Sequence, residues 1–528
     1  MTAPTAARDL DVVLVGATGF VGRLTAAHLR DHAPVGLRVA LAGRSRDKLD
    51  ALAAELGDAA ATWPRVVVDV SDPAACADLA ARTRVLVTTV GPYAAYGREL
   101  VKACAVAGTH YADLTGEVLF VRDTADAFHD VAQRSGARIV HSCGFDSIPS
   151  DLGVWETARI AADEGAGELT DTVLFVRRLK GGLSGGTIDS MRRQTIAARE
   201  SVEDRRVIND PYGLSPDRAA EPTSADRAEV APSTTERSRV RSTLGKVGSR
   251  LPVRRTADGH WTGPFIMASY NTRIVRRSNA LLGWAYGRAF RYHEVTDFGA
   301  RAKAPFAATG MTAGLLGLVA GLSFAPTRRV VDRFLPEPGE GPDEQTRVNG
   351  RFTMEVVAST TGGAQYATTV AAKADPGYNG TAIMLGEAAL CLAQDDLTSE
   401  GGVLTPAVAM AAPLIERLRA QDFTIETRRS AELPEVDRDR IADTSFGNAD
   451  ASVIGNEAPQ ISRYTLNLGA QYAGPISDSV DGLLRLERGE DAAQLGHDAR
   501  LLRNEQELVL AGAGRIDVHG REDAALGD

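Results

Sequence analysis

The sequence predicts an α/β fold in which an N-terminal doubly wound parallel sheet is followed by a second, α+β domain. Three observations predict it. Short apolar runs alternate with helix-like segments from residue 11 to about residue 150, which is typical of βαβ units. The pattern then changes to longer strand-like segments over residues 151–183 and 351–372. The chain has 528 residues, which is too long for one ordinary core.

Six strands are predicted in the first domain, mostly from runs of β-branched residues that suit burial on both faces of a parallel sheet. They cover residues 11–15, 38–42, 65–70, 85–90, 110–114 and 138–141. Between them, Ala- and Leu-rich stretches such as residues 47–56 and 73–81 are long enough to be crossover helices. These elements assign residues 1–150 to the first domain.

The second domain is predicted over residues 151–430 and contains two unusual segments. Residues 190–258 are rich in Arg, Asp, Ser and Pro, which indicates a mobile surface insert with a helical opening. Residues 304–325 carry no charge and are flanked by basic residues on both sides. Their length could span a bilayer, but four glycines lower their hydrophobicity. Three interpretations stay open: a buried core segment, an interfacial or lipid-handling element, and a membrane span.

The charge and the cysteines exclude two classes of site. A net charge of -10 argues against a general nucleic-acid binder, because such domains need a basic face to displace counterions from phosphates. The four cysteines are scattered, and no CxxC pair, HExxH motif or Cys/His cluster predicts a metal site. The first ten residues lack the pattern of a secretory signal, so we expect cytoplasmic localisation.

A glycine-rich run, GATGFVG, stands between the first strand and a helical pattern over residues 23–30. Gly16 permits the tight turn, Gly19 lets the backbone approach a pyrophosphate, and Gly22 allows close helix packing. In this context the run predicts a Rossmann dinucleotide site with the helix N-terminus facing the anion. The predicted contacts are Gly16, Thr18, Gly19, Phe20, Val21 and Gly22.

The end of the second strand favours NADPH as the cofactor. An NAD site usually offers an acidic residue there, whereas this strand ends in Leu41-Ala42-Gly43-Arg44-Ser45. Arg44 with Ser45 suits a 2′-phosphate. Asp69 at the end of the third strand is placed toward the adenine, and Gly91 and Pro92 follow the fourth strand, where the nicotinamide half would pass.

Several separate blocks resemble the saccharopine dehydrogenase-like oxidoreductases, and in particular the actinobacterial trans-acting enoyl reductases. The resemblance extends over about residues 8–428. Its blocks are residues 13–22, 41–45, 88–97 (TTVGPYAAYG), 111–117 (YADLTGE), 140–153 (VHSCGFDSIPSDLG), 180–190, 265–286, 375–387 and 402–407.

The resemblance implies an NADPH-dependent oxidoreductase that reduces a carbon-carbon double bond of a polyketide or fatty-acyl chain in envelope lipid biosynthesis. The implied partner is an acyl chain on a carrier domain or on CoA, with contact to a polyketide synthase. A homodimer and peripheral contact with the inner face of the membrane stay open. Two alternatives remain: a non-catalytic lipid-associated nucleotide-binding protein, and a saccharopine-type amino-acid dehydrogenase.

Reduction of an enoyl thioester requires a hydrogen-bond donor for the thioester oxygen and a proton for the α-carbon, beside the hydride of the cofactor. The predicted catalytic residues stand near strand ends: Tyr93, Tyr111 and Asp146, with Tyr93 favoured as the donor. Further candidates at the same strand ends are Tyr96, Asp113, His141 and Cys143.

Beyond about residue 430 the resemblance ends. Residues 464–472 alternate apolar and polar side chains and weakly resemble a strand pair of a TonB-dependent receptor barrel. A barrel needs about eight strands, so this fragment cannot form one. Residues 431–528 are therefore predicted to be an appended, weakly ordered segment.

Overall fold

The structure is a computed structural model that describes residues 8–181, 185–221, 253–256, 258–323 and 344–430. The predicted appended segment, residues 431–528, lies outside the described residues. The same holds for residues 222–252 of the predicted insert and for residues 324–325 at the end of the apolar segment.

The first 147 residues alternate strands and helices, and all six predicted strands are confirmed. The strands are β1 (Leu10–Val15), β2 (Val39–Gly43), β3 (Arg65–Val67), β4 (Thr83–Thr88), β5 (His110–Ala112) and β6 (Arg138–Val140). The helices are α1 (Phe20–His32), α2 (Arg46–Leu56), α3 (Asp58–Ala61), α4 (Pro73–Arg82), α5 (Tyr93–Tyr96), α6 (Arg98–Ala107) and α7 (Val118–Ser135). The observed bounds differ from the predicted ones by up to three residues, and they differ most at the end of β3. Since β3 ends at Val67, Asp69 lies in the following turn, where its carboxylate accepts hydrogen bonds from the backbone and hydroxyl of Ser71 at 2.9 and 2.7 Å.

The remaining described elements continue in chain order. They are α8 (Ile148–Asp163), β7 (Leu169–Lys180), α9 (Gly185–Glu200), α10 (Val202–Asn209), β8 (Arg254–Arg255), β9 (Trp261–Pro264), α11 (Ala268–Leu281), β10 (Arg291–Asp297), α12 (Ala304–Ser323), α13 (Glu344–Val348), β11 (Arg351–Thr360), β12 (Gln365–Ala372), α14 (Asn379–Gln394), β13 (Gly402–Leu404), α15 (Pro406–Ala409), α16 (Ala411–Ala420) and β14 (Thr424–Ser430).

The first sheet is fully parallel and has the order β13-β6-β5-β4-β1-β2-β3. The order reverses direction between β1 and β4, so this is a doubly wound sheet with its switch point at their carboxyl ends. The seventh strand, β13, returns from beyond residue 400 and pairs Leu404 with Val140. Helix α14 packs beside α1, where His28 and Glu387 form a buried pair at 2.8 Å. We therefore propose that the first domain is residues 1–150 completed by α14 and β13.

The second sheet is mixed and has the order β14-β12-β11-β7-β10-β9-β8, with β7 and β10 parallel and the other pairs antiparallel. The strand prediction over residues 351–372 is confirmed by β11 and β12. The strand prediction over residues 151–183 is wrong for its first part, because residues 148–163 form α8. Most sides of α8 are buried, so its sequence lacks the one-sided periodicity that marks an amphipathic helix.

The helical opening predicted for the insert is present, and the described residues 190–221 pack against α11 instead of forming a surface excursion. Residues 185–221 form α9, α10 and a turn in which Tyr212 and Leu214 are buried. Buried arginines of α11 hold this turn. The guanidinium of Arg276 donates to the carbonyl of Pro211 at 3.2 Å, and that of Arg277 donates to the carbonyl of Leu214 at 2.7 Å. The buried side chains of Tyr212 and Leu214, together with hydrogen bonds from arginines of α11 to backbone carbonyls, stabilise the segment although its composition is poor in bulky apolar residues.

The apolar segment is helical over Ala304–Ser323, and one narrow face of this helix is buried. Ala304, Ala308 and Thr312 face inward, toward Gly263 of β9. In contrast, Phe306 is 79% exposed and Met311 is 43% exposed. Only 18% of the stretch from Ala304 to Leu322 is buried in the part of the chain that the structure describes. Within the described residues, this low burial disagrees with the interpretation as a buried core segment. By length and composition the helix is one that could cross a membrane.

Candidate active site

The glycine-rich turn connects β1 to α1 at the switch point of the first sheet. Gly16 adopts a φ of +81°, and the N–H of Gly19 donates to the carbonyl of Gly16 at 3.0 Å. A Cβ added to Gly22 would lie 2.1 Å from the same carbonyl oxygen, and one added to Gly16 would lie 2.8 Å from Thr89 Oγ1. No side chain fits at either position, so the turn presents bare backbone to a ligand.

The N-terminus of α1 is suited to an anion. Its N-cap is Gly19, which provides no side-chain cap, and the first turn carries no acidic residue. The first N–H groups of the helix are therefore available, and the helix dipole adds positive potential at the same point. These features fit the pyrophosphate of a dinucleotide. Thr18, Phe20 and Val21, which complete the predicted contact set, lie in this turn or in the first turn of α1.

At the end of β2 the side chain of Arg44 is exposed and has no hydrogen-bond or ion-pair partner among the described residues. Ser45 has a structural task, since it caps α2 by accepting a hydrogen bond from the N–H of Lys48 at 3.4 Å. Asp69 lies nearby: the bonds from Ser71, and secondarily the charge of Arg44, hold its pKa below the usual value. The free guanidinium fits a 2′-phosphate, which only NADP(H) carries.

After β4, where the nicotinamide half of the cofactor is expected to pass, the phenol of Tyr93 is engaged in hydrogen bonds within the protein. Its phenol oxygen accepts from the N–H of Leu114 at 3.2 Å and lies 3.4 Å from the carbonyl of Thr88. The N–H groups of Tyr93 and Ala94 each donate to the carboxylate of Glu117 at 2.9 Å. Burial raises the pKa of Tyr93 well above its ordinary value. Immediately before Tyr93, Gly91 is exposed and Pro92 is half-buried.

Below the strand ends lies a buried polar network centred on Asp113. Its carboxylate accepts from the phenol of Tyr111 at 3.0 Å and from the N–H of Ser142 at 3.0 Å, and lies 2.8 Å from Nδ1 of His141. The other ring nitrogen of His141 lies 2.9 Å from the hydroxyl of Thr124. All five residues are buried. Tyr111 therefore lies in the core beneath the site. Its phenol bonds to Asp113, and Asp113 in turn contacts His141 and Ser142 in the loop after β6.

Asp146 differs from the other candidates because its carboxylate has no hydrogen-bond partner within the described ranges of the chain. It lies between β6 and α8 and keeps some exposure to solvent. Burial raises the pKa of Asp146 to about 6. The pKa values of Tyr93 and Tyr270 are raised chiefly by burial, and the charges of Asp113 and Asp146 raise them further.

Tyr270 at the start of α11 was not predicted. Its hydroxyl lies 2.5 Å from Oγ of Ser142, a residue with a φ of +66°. Because Ser142 Oγ donates to the carbonyl of Thr115 at 3.0 Å, Tyr270 is the donor in the bond between the two hydroxyls. The two residues are 128 positions apart, so periodicity could not join them. The signal available was that Tyr270 stands in the resembling block over residues 265–286.

Helix α9 covers the same strand ends. The side-chain amide of Gln194 accepts from the N–H of Val118 at 3.0 Å and donates to the carbonyl of Gly116 at 3.1 Å. The hydroxyl of Ser190 donates to Glu117 at 3.3 Å. Burial raises the pKa of Glu117, while the bonds to its carboxylate oppose that effect. The helix predicted to open a mobile insert is therefore part of the wall of the site.

A cleft of about 680 Å³ lies between α7 and α10. It does not lie over the glycine-rich turn, but Ala94 on its wall directly follows Tyr93. Its lining combines apolar residues, such as Phe120 and Val207, with Arg122, Asp126 and other charged side chains. The cleft therefore reaches from solvent to the loop at the substrate end.

Comparison with known proteins supports the cofactor assignment. The NADP-binding domain of saccharopine dehydrogenase matches residues 12–140. A Mycobacterium tuberculosis relative is 48% identical over 429 residues, covering 80% of this chain and 99% of that protein. Relatives named trans-acting enoyl reductase occur in Mycobacterium bovis, 44% identical over 430 residues, and in Mycobacterium ulcerans, 43% identical over 437 residues. Each alignment covers 80% of this chain and 99% of the relative.

Among solved structures, saccharopine dehydrogenase from Saccharomyces cerevisiae is similar with a TM-score of 0.43 and 14% identity, over 80% of this chain and 100% of that one. The sequence relatives, which align over 99% of their own length, establish the family. On this evidence the chain is an NADPH-dependent oxidoreductase that belongs to the trans-acting enoyl reductase family, with a saccharopine dehydrogenase-type NADP-binding domain.

Proposed function

We propose that this chain uses NADPH to reduce the carbon-carbon double bond of an enoyl thioester, and that it does so on a chain carried by a polyketide synthase. The relatives' name supports the reaction and the separate carrier. The observation that carries the proposal is Asp146, a partly exposed residue of the loop after β6 whose carboxylate has no hydrogen-bond partner among the described residues.

NADPH, when bound, supplies the hydride that is added to the β-carbon of the substrate. The free guanidinium of Arg44 and the N-terminus of α1 hold its phosphates. With a pKa of about 6, Asp146 is protonated in a useful fraction of molecules near neutral pH, and its proton is available for the α-carbon. Hydride and proton together account for the two hydrogens that saturate the double bond.

The predicted catalytic tyrosines act in this proposal as positioning residues. The phenol of Tyr93 bonds to the backbone after β4 and β5, and that of Tyr111 bonds to Asp113. Together with the hydroxyl pair of Tyr270 and Ser142, these contacts fix the loop that carries Asp146. The cleft beside Ala94 offers room for the arm of a carrier domain.

The two alternative functions are not favoured, because the relatives that align over 99% of their length are named enoyl reductases. A peripheral lipid contact through α12 is a separate proposal. It rests on the exposure of Phe306 and on the exposed Arg301 and Lys303 at the start of the helix, which suit lipid phosphates.

The test is to mix the full chain with NADPH and a panel of enoyl thioesters, on CoA and on a phosphopantetheinylated carrier domain. We expect loss of NADPH absorbance and a product that has gained two hydrogens by mass spectrometry. Asp146→Asn should lower turnover by about 100-fold or more, with NADPH affinity nearly unchanged. Asp130→Asn, at an exposed site on α7, is the matched control.

The pH profile gives a second readout. Since the acid must be protonated, turnover of the parent should fall as the pH rises above about 6. The Asn variant should lack this fall. If no enoyl thioester consumes NADPH, the proposed reaction is wrong; if Asp146→Asn keeps full turnover, the proton comes from another group.

A further inference from the structure

Residues of α13 and of the N-terminus of α14 pack against Phe20, which belongs to the glycine-rich run. Both helices are distant from this run in the sequence. The guanidinium carbon of Arg347 lies 5.3 Å from the ring centroid of Phe20, the first residue of α1. The same ring packs edge-on against Tyr378, with 5.0 Å between centroids. Tyr378 is the N-cap residue of α14. The guanidinium of Arg347 therefore lies against the side chain of the first residue of α1, the helix whose N-terminus is expected to face the dinucleotide.

This arrangement places like charges together. The N-terminus of a helix carries a partial positive charge, and a cation there is unfavourable unless an anion offsets it. The first turn of α1 has no acidic side chain to do so. In proteins, an uncapped helix end facing an arginine is the arrangement that binds phosphate.

The guanidinium of Arg347 has N–H groups that make no hydrogen bond to the described residues. One of its terminal nitrogens donates to Oδ1 of Asn379 at 3.2 Å, whereas its Nε is buried without an acceptor. The carboxylate of Asp375 interacts with Arg347 electrostatically. Its Oδ2 accepts from the N–H of Tyr378 at 2.8 Å, and its Oδ1 has no partner. Arg347 and Asp375 form no ion pair within 4.0 Å in the described part of the chain, so the guanidinium is not neutralised by a direct contact.

We propose that Arg347 binds the pyrophosphate of the dinucleotide from the side opposite the glycine-rich turn, closing the groove above α1. A guanidinium can donate two parallel hydrogen bonds to phosphate oxygens. In this role Arg347 differs from Arg44, because the pyrophosphate is common to NADPH and NADH, whereas the 2′-phosphate belongs to NADPH alone. The inference concerns the cofactor groove and does not depend on the enoyl substrate.

The experiment measures the Kd of NADPH and of NADH for the full chain and for Arg347→Gln, without any acyl substrate. We expect both affinities to fall by about tenfold or more, by similar factors, since both dinucleotides lose the same charge-assisted bonds. Arg347→Lys should recover part of the loss. Arg44→Ala should weaken NADPH alone, and Arg134→Gln, an exposed arginine on α7, should weaken neither.

The melting temperature of the ligand-free protein separates binding from packing against Phe20. It should stay close to the parent value in Arg347→Gln. Unchanged affinities for both dinucleotides would overturn the proposal. A loss of affinity confined to NADPH would also overturn it, and so would a loss of affinity accompanied by a lower melting temperature of the ligand-free variant. Because no enoyl thioester is present, a negative result here leaves the proposed reaction untouched, and a failed reaction leaves this result valid.

Discussion

Among single residues, we expect Arg44 to decide the choice between the two nicotinamide dinucleotides. Its side chain is exposed after β2, without a partner in the described residues, at the point where NAD sites usually present an acid. NADPH should bind more tightly than NADH by about 1–3 kcal/mol, the range for hydrogen bonds to charged groups. In Arg44→Ala most of this difference should disappear through weaker NADPH binding, measured by calorimetric titration of both dinucleotides.

Arg46→Ala is the matched control, because Arg46 is exposed two residues away and pairs with Asp50 at 2.9 Å. It should leave both affinities unchanged. Equal binding of NADPH and NADH by the parent protein would contradict the role of Arg44.

At the scale of elements, α12 is the outer layer of a stack. It packs on β9 and on α9, and α9 in turn reaches the loops of the active site through Ser190 and Gln194. Among the exposed residues of α12, Phe306 and Met311 carry large apolar side chains. Burying one such side chain in a lipid interface gains about 1.5–3 kcal/mol. Phe306→Ser combined with Met311→Ser should therefore reduce flotation with anionic liposomes and lower turnover of long enoyl thioesters more than of short ones.

Val106→Ser is the control for this prediction, since Val106 is 67% exposed but lies on α6. It should change neither readout. If the double variant floats like the parent and keeps its preference for chain length, α12 does not contact lipid and its apolar face needs another explanation.

For the whole molecule, stability should depend on two carboxyl groups buried between α8, α11 and β10. Burial raises the pKa of Asp151 to about 7 and that of Glu294 to about 7. Both values lie above those of the unfolded chain, so the folded state retains protons that the unfolded state has lost. The contribution of each group to the free energy of unfolding is therefore present below about pH 4 and is lost as the pH rises to about 7.

Glu294→Gln imitates the protonated acid, whose oxygens contact Asn271 at 3.0 Å and Tyr292 at 2.8 Å. Relative to the parent, the variant should gain stability on the order of 1–3 kcal/mol at pH 8 and little at pH 4.5. Denaturant unfolding at the two pH values measures this. Glu200→Gln, at an exposed site, should show no such difference. A variant that loses stability equally at both pH values would mean that the hydrogen bonds, and not the charge, decide the outcome.

The first sheet and its cofactor turn could be predicted from the sequence because both are built from local units. Each βαβ unit carries its own strand pattern, its own helix and, in the first unit, its glycines, so the six strands and the position of Gly16–Gly22 follow from neighbouring residues. Arg44 could be singled out for the same reason, since it stands directly after the second strand.

Only the tertiary structure decided which distant side chains meet these local units. Tyr270 reaches Ser142 across 128 positions, β13 joins the first sheet from beyond residue 400, and Arg347 stands over Phe20. The turn around Tyr212 is held by arginines of α11 although its composition resembles a mobile loop. The local pattern of a sequence indicates how a segment is buried. Contacts between side chains that are distant in the sequence depend instead on how the two sheets and their helices pack. That packing is a property of the whole folded chain.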